Sequence, residues 1–307
     1  FWYLARYYPI ARENKTRLKS VAYMPLDGRI ESPGLLGALQ YFDTVVGFNE
    51  FAADEIQRGF QTIQTLDPVF RPPPVRTVAH GVDRHKFKSL NRGDARQALY
   101  GSSEDENGFL VLNANQNTAR KQIEISIEGF VRFARNKPPN VKLHLHCETF
   151  DNRLENNRLN VVKAMHRYGA ADRLLHTQPP VSDDTMNLIY NACNVGLNTS
   201  WGEGWGLISF EHAATGACQI VPDHTACREI WRDCGVLIPC ERAKPEEPYL
   251  LERQFTKAEH VASALETVYR NPGLRQTLAD KGMERVHQTA FQWSDIGRQW
   301  DRLFREL

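Results

Sequence analysis

The 307-residue chain reads as an α/β protein with two parallel-sheet units facing a cleft. Two observations predict this. Short runs of β-branched and apolar residues alternate with amphipathic helical stretches, the pattern of parallel sheets covered by helices on both faces. A 41% hydrophobic content over this length supports cores for two domains of ordinary size.

The chain opens on Phe1-Trp2-Tyr3, an apolar aromatic cluster with no methionine and no signal-peptide pattern. Free N-termini are seldom so apolar, so the numbering is expected to begin inside a longer polypeptide. Arg12, Lys15, Arg17 and Lys19 then form a basic cluster, read as a solvated helix end. Ser20–Met24, Thr44–Phe48 and Val75–Ala79 suit buried parallel strands. Between them Pro33–Gln40 and Glu50–Phe60 read as helices, the second with Phe51, Ile56 and Phe60 on one side. Three strands are few for an independent doubly wound unit, which fits a missing beginning. Pro72-Pro73-Pro74 stiffens the approach to the third strand, and His80-Gly81-Val82-Asp83 makes a tight turn anchored by Phe87. Residues 84–106 are polar and charged and serve as the boundary.

The second unit alternates clearly. Phe109–Asn113, Val141–Cys147, Leu174–Thr177, Asn194–Asn198, Ala217–Val221 and Val236–Pro239 are expected strands. Helices are expected over Gln122–Asn136, Asn157–Tyr168, from the Ser182 cap through Cys193, from Leu207 onward and near Thr225–Arg232. The tail from Lys257 is helical. Phe291-Gln292-Trp293-Ser294 interrupts it, and a last amphipathic helix carries Ile296, Trp300, Leu303 and Phe304. The expected division is residues 1–90, 91–290, and a terminal helix over 291–307 that packs back on the first unit.

The charge balance of 38 basic and 37 acidic residues leaves +1, so no global field recruits nucleic acid or membrane. No apolar run approaches the ~20 residues of a membrane span. A cytoplasmic location is expected, with peripheral membrane contact through the basic cluster left open. The six cysteines lack C-x-x-C pairs and read as buried free thiols in a reducing compartment. Cys227, Cys234 and Cys240 with His224 match no common zinc spacing, so no metal site is assigned.

Ser200–Gly216 (SWGEGWGLISFEHAATG) carries the chemistry. Gly202, Gly204 and Gly206 permit close backbone approach, expected to admit a bulky ligand. Leu207 opens a helix whose first-turn N–H groups form an anion site, most often for phosphate. Glu203 and Glu211 stand eight residues apart across this turn. Two carboxylates beside a phosphate cradle make sense when they bind the hydroxyls of a ribose and a sugar on either side of a diphosphate, which points to a nucleotide-sugar. Glu211, inside an apolar run, needs partners to be tolerated. The loop Asn113–Lys121 adds a dense donor set in Asn115 and Asn117, with Arg120 and Lys121 placed to neutralise a diphosphate. In Thr177–Val181 (TQPPV), Gln178 and Pro179 hold main-chain groups that a base could meet. His146, Cys147 and Glu148 end a strand on the same edge; each of these, taken singly, also reads as structural.

These residues resemble the nucleotide-binding half of a retaining GT-B glycosyltransferase, in the large group of sucrose synthases and mannosyl- and glucosyltransferases. The landmarks are HGVD with Phe87, NANQNTARK, YNACNVGLNTSWGEGWGLISFEHAATG with its Glu-x7-Glu spacing, and the Trp293 crossover helix. The resemblance covers about residues 75–240 well. It implies that Glu203 contacts the donor sugar and Glu211 the ribose. Backbone N–H groups around Gly204, Trp205, Gly206 and Leu207 would hold the sugar and distal phosphate, and Lys121 the diphosphate. The family's arginine six residues before that lysine is Asn115 here, and Arg120 would compensate. The implied reaction moves a sugar from a GDP- or UDP-linked donor to a sugar, glycan, lipid or protein acceptor with retention, needing neither cofactor nor metal. Gly28 and Arg29, after the first strand, are expected along the cleft. A GT-B-type nucleotide-sugar epimerase and a non-catalytic nucleotide-sugar-binding module are the alternatives.

Overall fold

The computed structural model describes residues 2–101, 108–149, 159–243 and 251–307. The expected helix start at Asn157, and Ser102–Asn107 within the polar segment, lie outside these residues. A helix, Trp2–Asn14, leads into a three-stranded parallel sheet of β1 (Val21–Met24), β2 (Thr44–Gly47) and β3 (Val75–Thr77), in that order. Val45 and Val46 of β2 are fully buried, as a central parallel strand covered on both faces requires. Pro33–Tyr41 is a 3-10 helix, and Glu50–Leu66 is an α-helix capped by Asn49, whose Oδ1 accepts from the Ala52 N–H at 2.9 Å.

The polar boundary segment is more structured than its composition suggests. Arg92–Tyr100 is a helix, capped by Asn91 and ended by Gly101 at φ 69°. Arg96 is 1% exposed, yet its guanidinium donates to the Ala192 carbonyl at 2.9 Å and to Asn194 Oδ1 at 2.8 Å. A charged side chain satisfied in this way can be buried, and polarity alone hid the helix.

Six parallel strands form the second sheet: β4 (Phe109–Asn113), β5 (Val141–His146), β6 (Leu174–Thr177), β7 (Val195–Leu197), β8 (Cys218–Pro222) and β9 (Val236–Ile238). Their order is β6-β5-β4-β7-β8-β9. The chain winds outward from β4 to β6, then returns to β7 on the other side of β4. That reversal opens a crevice between the loops after β4 and β7, where open parallel sheets take their ligands. Helix Ile123–Ala134 buries Ile123, Ile127, Phe130 and Phe133, the spacing that marks it in the sequence. Ser182 caps Asp183–Ala192 through a 3.2 Å bond from the Thr185 N–H.

An antiparallel hairpin, β10 (Cys240–Ala243) with β11 (Arg253–Thr256), was not expected. Its neighbourhood reaches the first unit, where Leu251 bridges Ile30 and the Glu252 N–H donates to the Arg29 carbonyl at 2.9 Å. The last helix, Trp293–Glu306, packs on the first sheet: Ile296 and Leu303 bury against Val46 and Val78, and Trp300 meets Tyr23 edge-on at 5.0 Å. Five cysteines are buried and Cys240 is half-buried, all as free thiols, and burial pushes Cys147, Cys193 and Cys218 up to about 12. Among the described residues no helix is long and apolar enough to cross a membrane, and no cluster of His, Cys, Asp or Glu is set to hold a metal ion.

Candidate active site at the sheet switch point

The two crevice loops are stitched together from beneath. Asn113 Oδ1 accepts from the N–H and Nδ2 of Asn115 at 3.1 and 2.9 Å, while Asn113 Nδ2 donates to Ser126 Oγ at 2.8 Å. Ser126 in turn bonds Thr199 across the crevice at 2.8 Å, and Thr199 reaches the carbonyl of Lys121. Asn117 is spent on structure: its Nδ2 donates to the carbonyls of Glu148 and Leu159 at 3.1 and 2.8 Å. Asn115 stays on the cleft wall, with its amide held by Asn113.

Arg120 and Lys121 close the β4 loop on a 3-10 turn and converge on Glu203. Lys121 Nζ pairs with Glu203 Oε1. Arg120 Nη1 lies 3.1 Å from Glu203 Oε2 and 2.6 Å from the Gly202 carbonyl. Asn198 Nδ2 adds a 3.3 Å contact to Glu203 Oε1, and Thr225 Oγ1 donates to the Glu203 carbonyl at 2.9 Å. Burial alone would raise the Glu203 carboxyl, but Lys121 and Arg120 outweigh it and hold the group at about 2. Glu203 is therefore an ionised, 5% exposed carboxylate seated between two cations.

Two of the glycines serve a purpose that the sequence did not announce. A Cβ on Gly202 would sit 2.1 Å from the Asp27 carbonyl oxygen, and one on Gly204 would press on Pro25 at 3.2 Å. Both admit the loop after β1, while Gly204 and Gly206 also line the cavity between the units. Gly206, at φ 87°, makes the left-handed turn that starts the helix Leu207–Ala214. Asn49 Nδ2 donates to the Gly204 carbonyl at 2.8 Å, tying the first unit to the same turn.

Two cavities meet here. One, of about 440 Å³, is lined by Asn115, Arg120, Lys121, Glu203 and Gly204–Ile208 from the second unit, and by Pro25, Asp27, Phe48 and His80 from the first. The other, of about 340 Å³, holds Glu211 with Phe87, His146, Glu148, Pro179 and Tyr190. Both are walled by Ala114, Gln116 and Ile208, so they adjoin. Tyr190 donates to Glu211 Oε2 at 2.7 Å, which supplies the partner that the apolar setting of Glu211 demands. Burial pushes the Glu211 carboxyl up, against the pull of that hydrogen bond.

Of the sequence-derived residues, Glu203, Lys121, Arg120, Asn115, Gly204, Trp205, Gly206 and Leu207 share the first cavity, and Glu211 and Pro179 the second. Gln178 is exposed and, like Asn117, lines neither. Gly28 does not reach the cleft, since the Glu252 carbonyl packs against it, and Arg29 faces another cavity beside Asp223 and Glu229. Their neighbour Asp27 is the one that faces the cleft. Its place at the carboxyl end of a strand was the available signal. Asn49 carried none, and Tyr190 and His80 stood inside the landmark stretches without a role, because all three depend on partners distant in sequence.

The glycosyl transferase-like family model matches residues 120–301, more than half of the chain, and takes in Arg120, Lys121, Glu203 and Glu211. The chain belongs to this family. No curated protein matches the chain in sequence. Among solved structures, the glycosyl transferase-like chain is similar to Anabaena Alr3699/HepE solved with UDP, at 15% identity, 99% of this chain, 77% of that one and a TM-score of 0.74. It is similar to pneumococcal O-GlcNAc transferase GtfA solved with UDP and GlcNAc, at 13% identity, 97% and 54% coverage and a TM-score of 0.66. It is also similar to sucrose-phosphate synthase from Thermosynechococcus elongatus, at 20% identity, 88% and 59% coverage and a TM-score of 0.61. The chain thus spans 54% and 59% of the lengths of the last two. At such identities the likeness speaks for the fold, and that fold is GT-B: two Rossmann-like units across a cleft, with the terminal helix returning to the first.

Proposed function

We propose that the chain carries the donor site of a retaining glycosyltransferase that moves a sugar from a UDP-linked donor to a hydroxyl acceptor. The observation that carries this is the pairing of adjoining cavities. One sets the buried carboxylate Glu203 between Arg120 and Lys121, and the other sets Glu211 beside a pocket walled by prolines. A uridine fits the second cavity with its ribose hydroxyls on Glu211. Its diphosphate then reaches Arg120, Lys121 and the first turn of Leu207–Ala214, and its sugar lies against Glu203. UDP in the HepE and GtfA structures supports uracil as the base.

In the reaction, the bond between the anomeric carbon and the diphosphate oxygen breaks, and the electron pair leaves on the diphosphate. Arg120, Lys121 and the helix N-terminus stabilise that charge. The acceptor oxygen bonds the anomeric carbon from the same face, and its proton passes to the departing diphosphate. Donor binding competes with Glu203 for the two cations, freeing the carboxylate to accept hydrogen bonds from the sugar. Glu203 and Glu211 lie in different cavities and are not a glycosidase acid/base pair.

Calorimetry against UDP-, GDP- and ADP-sugars tests the reading. Binding of a UDP-sugar that is lost in Glu211→Ala is expected. Folded protein that binds none of the panel would overturn it.

A further inference from the structure

The cleft has two walls, and the wall from the first unit carries one carboxylate among the described residues, Asp27. It follows β1 closely, on a loop held by the glycine turn: its carbonyl packs on Gly202, and Pro25 packs on Gly204. Its side chain stays 38% exposed, within the 440 Å³ cavity. The carboxylate lies 3.7 Å from Arg120 Nε, too far for a hydrogen bond. Arg120 is already held by the Gly202 carbonyl at 2.6 Å and by Glu203 at 3.1 Å, so Asp27 is not needed to orient it. Burial pushes the Asp27 carboxyl up, against the pull of Arg120 and aided by the nearby Glu203. A group with two acceptor oxygens thus stands partly desolvated and without a hydroxyl partner, opposite the point where the cations meet Glu203.

We infer that Asp27 binds the acceptor: its carboxylate accepts hydrogen bonds from the hydroxyls of a polyhydroxylated acceptor and holds one of them beside Arg120 and Glu203. The inference rests on the donor site proposed above. A donor held by the second unit leaves the first unit's wall as the approach for the nucleophile. On that wall Pro25 and Phe48 offer no side-chain acceptor, and the His80 ring packs among Phe48, Trp205 and Trp293. A carboxylate can take two neighbouring hydroxyls at once, which suits a sugar or polyol.

The test compares wild type with Asp27→Asn and Asp27→Ala, using the UDP-sugar that binds in the calorimetric panel and glycerol, methyl α-glucoside and maltose as acceptors. Thermal melts confirm that the variants fold. Donor affinity is expected within about 2-fold of wild type and donor hydrolysis by water within about 3-fold. The acceptor KM should rise about 10- to 100-fold, the range for losing a hydrogen bond to a charged group. An unchanged acceptor KM overturns the inference alone. A parallel fall in donor affinity and hydrolysis also overturns it, and assigns Asp27 to the donor. Donor-bound wild type that transfers to none of the three acceptors counts against it as well. Wild type that binds no donor removes the donor-site reading and this inference together.

Discussion

The phenol of Tyr190 donates a 2.7 Å hydrogen bond to Glu211 Oε2, joining helix Asp183–Ala192 to helix Leu207–Ala214 below the second cavity. The carboxylate is thereby fixed in direction, with its other oxygen left for a ligand. Tyr190 is fully buried and stacks on His212 at 5.3 Å, so the anchor itself is rigid. Tyr190→Phe keeps the packing and removes only the hydroxyl. UDP affinity is expected to fall about 10- to 100-fold, because hydrogen bonds to charged groups contribute about 1.5–3 kcal/mol. Calorimetry with UDP measures it, and unchanged affinity would separate Tyr190 from the site.

Glu203 makes stability depend on acid. Its carboxyl is held at about 2 in the fold against an ordinary value of 4.5, so its contribution is present above pH 4.5 and lost as pH falls toward 2. The contribution is on the order of 3 kcal/mol. Glu203→Gln is expected to be less stable than wild type at pH 6, with the gap roughly halved by pH 3 and closing only near pH 2. Urea unfolding at these pH values reads this directly; a gap independent of pH would mean that the ion pairs with Lys121 and Arg120 add no stability.

Lys121 is asked to stabilise charge on the leaving diphosphate. Lys121→Ala should lower turnover by about 10²–10³, the cost of losing one positioned charge-stabilising group. Steady-state transfer or donor hydrolysis measures it, and a change confined to KM would argue for ground-state binding alone.

At Gly202 the backbones of the two units pack against each other. Gly202→Ala sets a methyl 2.1 Å from the Asp27 carbonyl oxygen, and backbone on both sides has to yield. About 1–3 kcal/mol of destabilisation is expected, the usual cost of overpacking, together with impaired transfer. A melt unchanged from wild type would show that the β1 loop moves freely.

Asn49 does two jobs with one amide. Asn49→Ser retains a cap for Glu50–Leu66 but loses the Nδ2 bond to the Gly204 carbonyl. Thermal stability should change by about 1 kcal/mol or less, while transfer falls more than stability does. Losses seen in Asn49→Ala but not in Asn49→Ser would place the effect in the cap alone.

Much of this protein was legible before folding, for local reasons. The strands and helices of the second unit follow from apolar periodicity, and helix Ile123–Ala134 shows its buried face in the spacing of Ile123, Ile127, Phe130 and Phe133. Glu203, Glu211, Arg120 and Lys121 were visible because each sits just after a strand or in the first turns of the helix behind it, and chain order places such residues at one sheet edge. Helix Arg92–Tyr100 was hidden, because Arg96 is buried only through the Ala192 carbonyl and Asn194 Oδ1, about a hundred residues away. The same holds for Asn49 and for the role of Tyr190, whose partners lie in other elements. Sequence pattern determined which segments pair with themselves or their neighbours, since hydrogen-bond periodicity and apolar spacing are local. Only the tertiary structure decided what Gly202 and Gly204 are for. It set the loop after β1 against them, and close approach between distant backbones leaves no mark except the missing side chain.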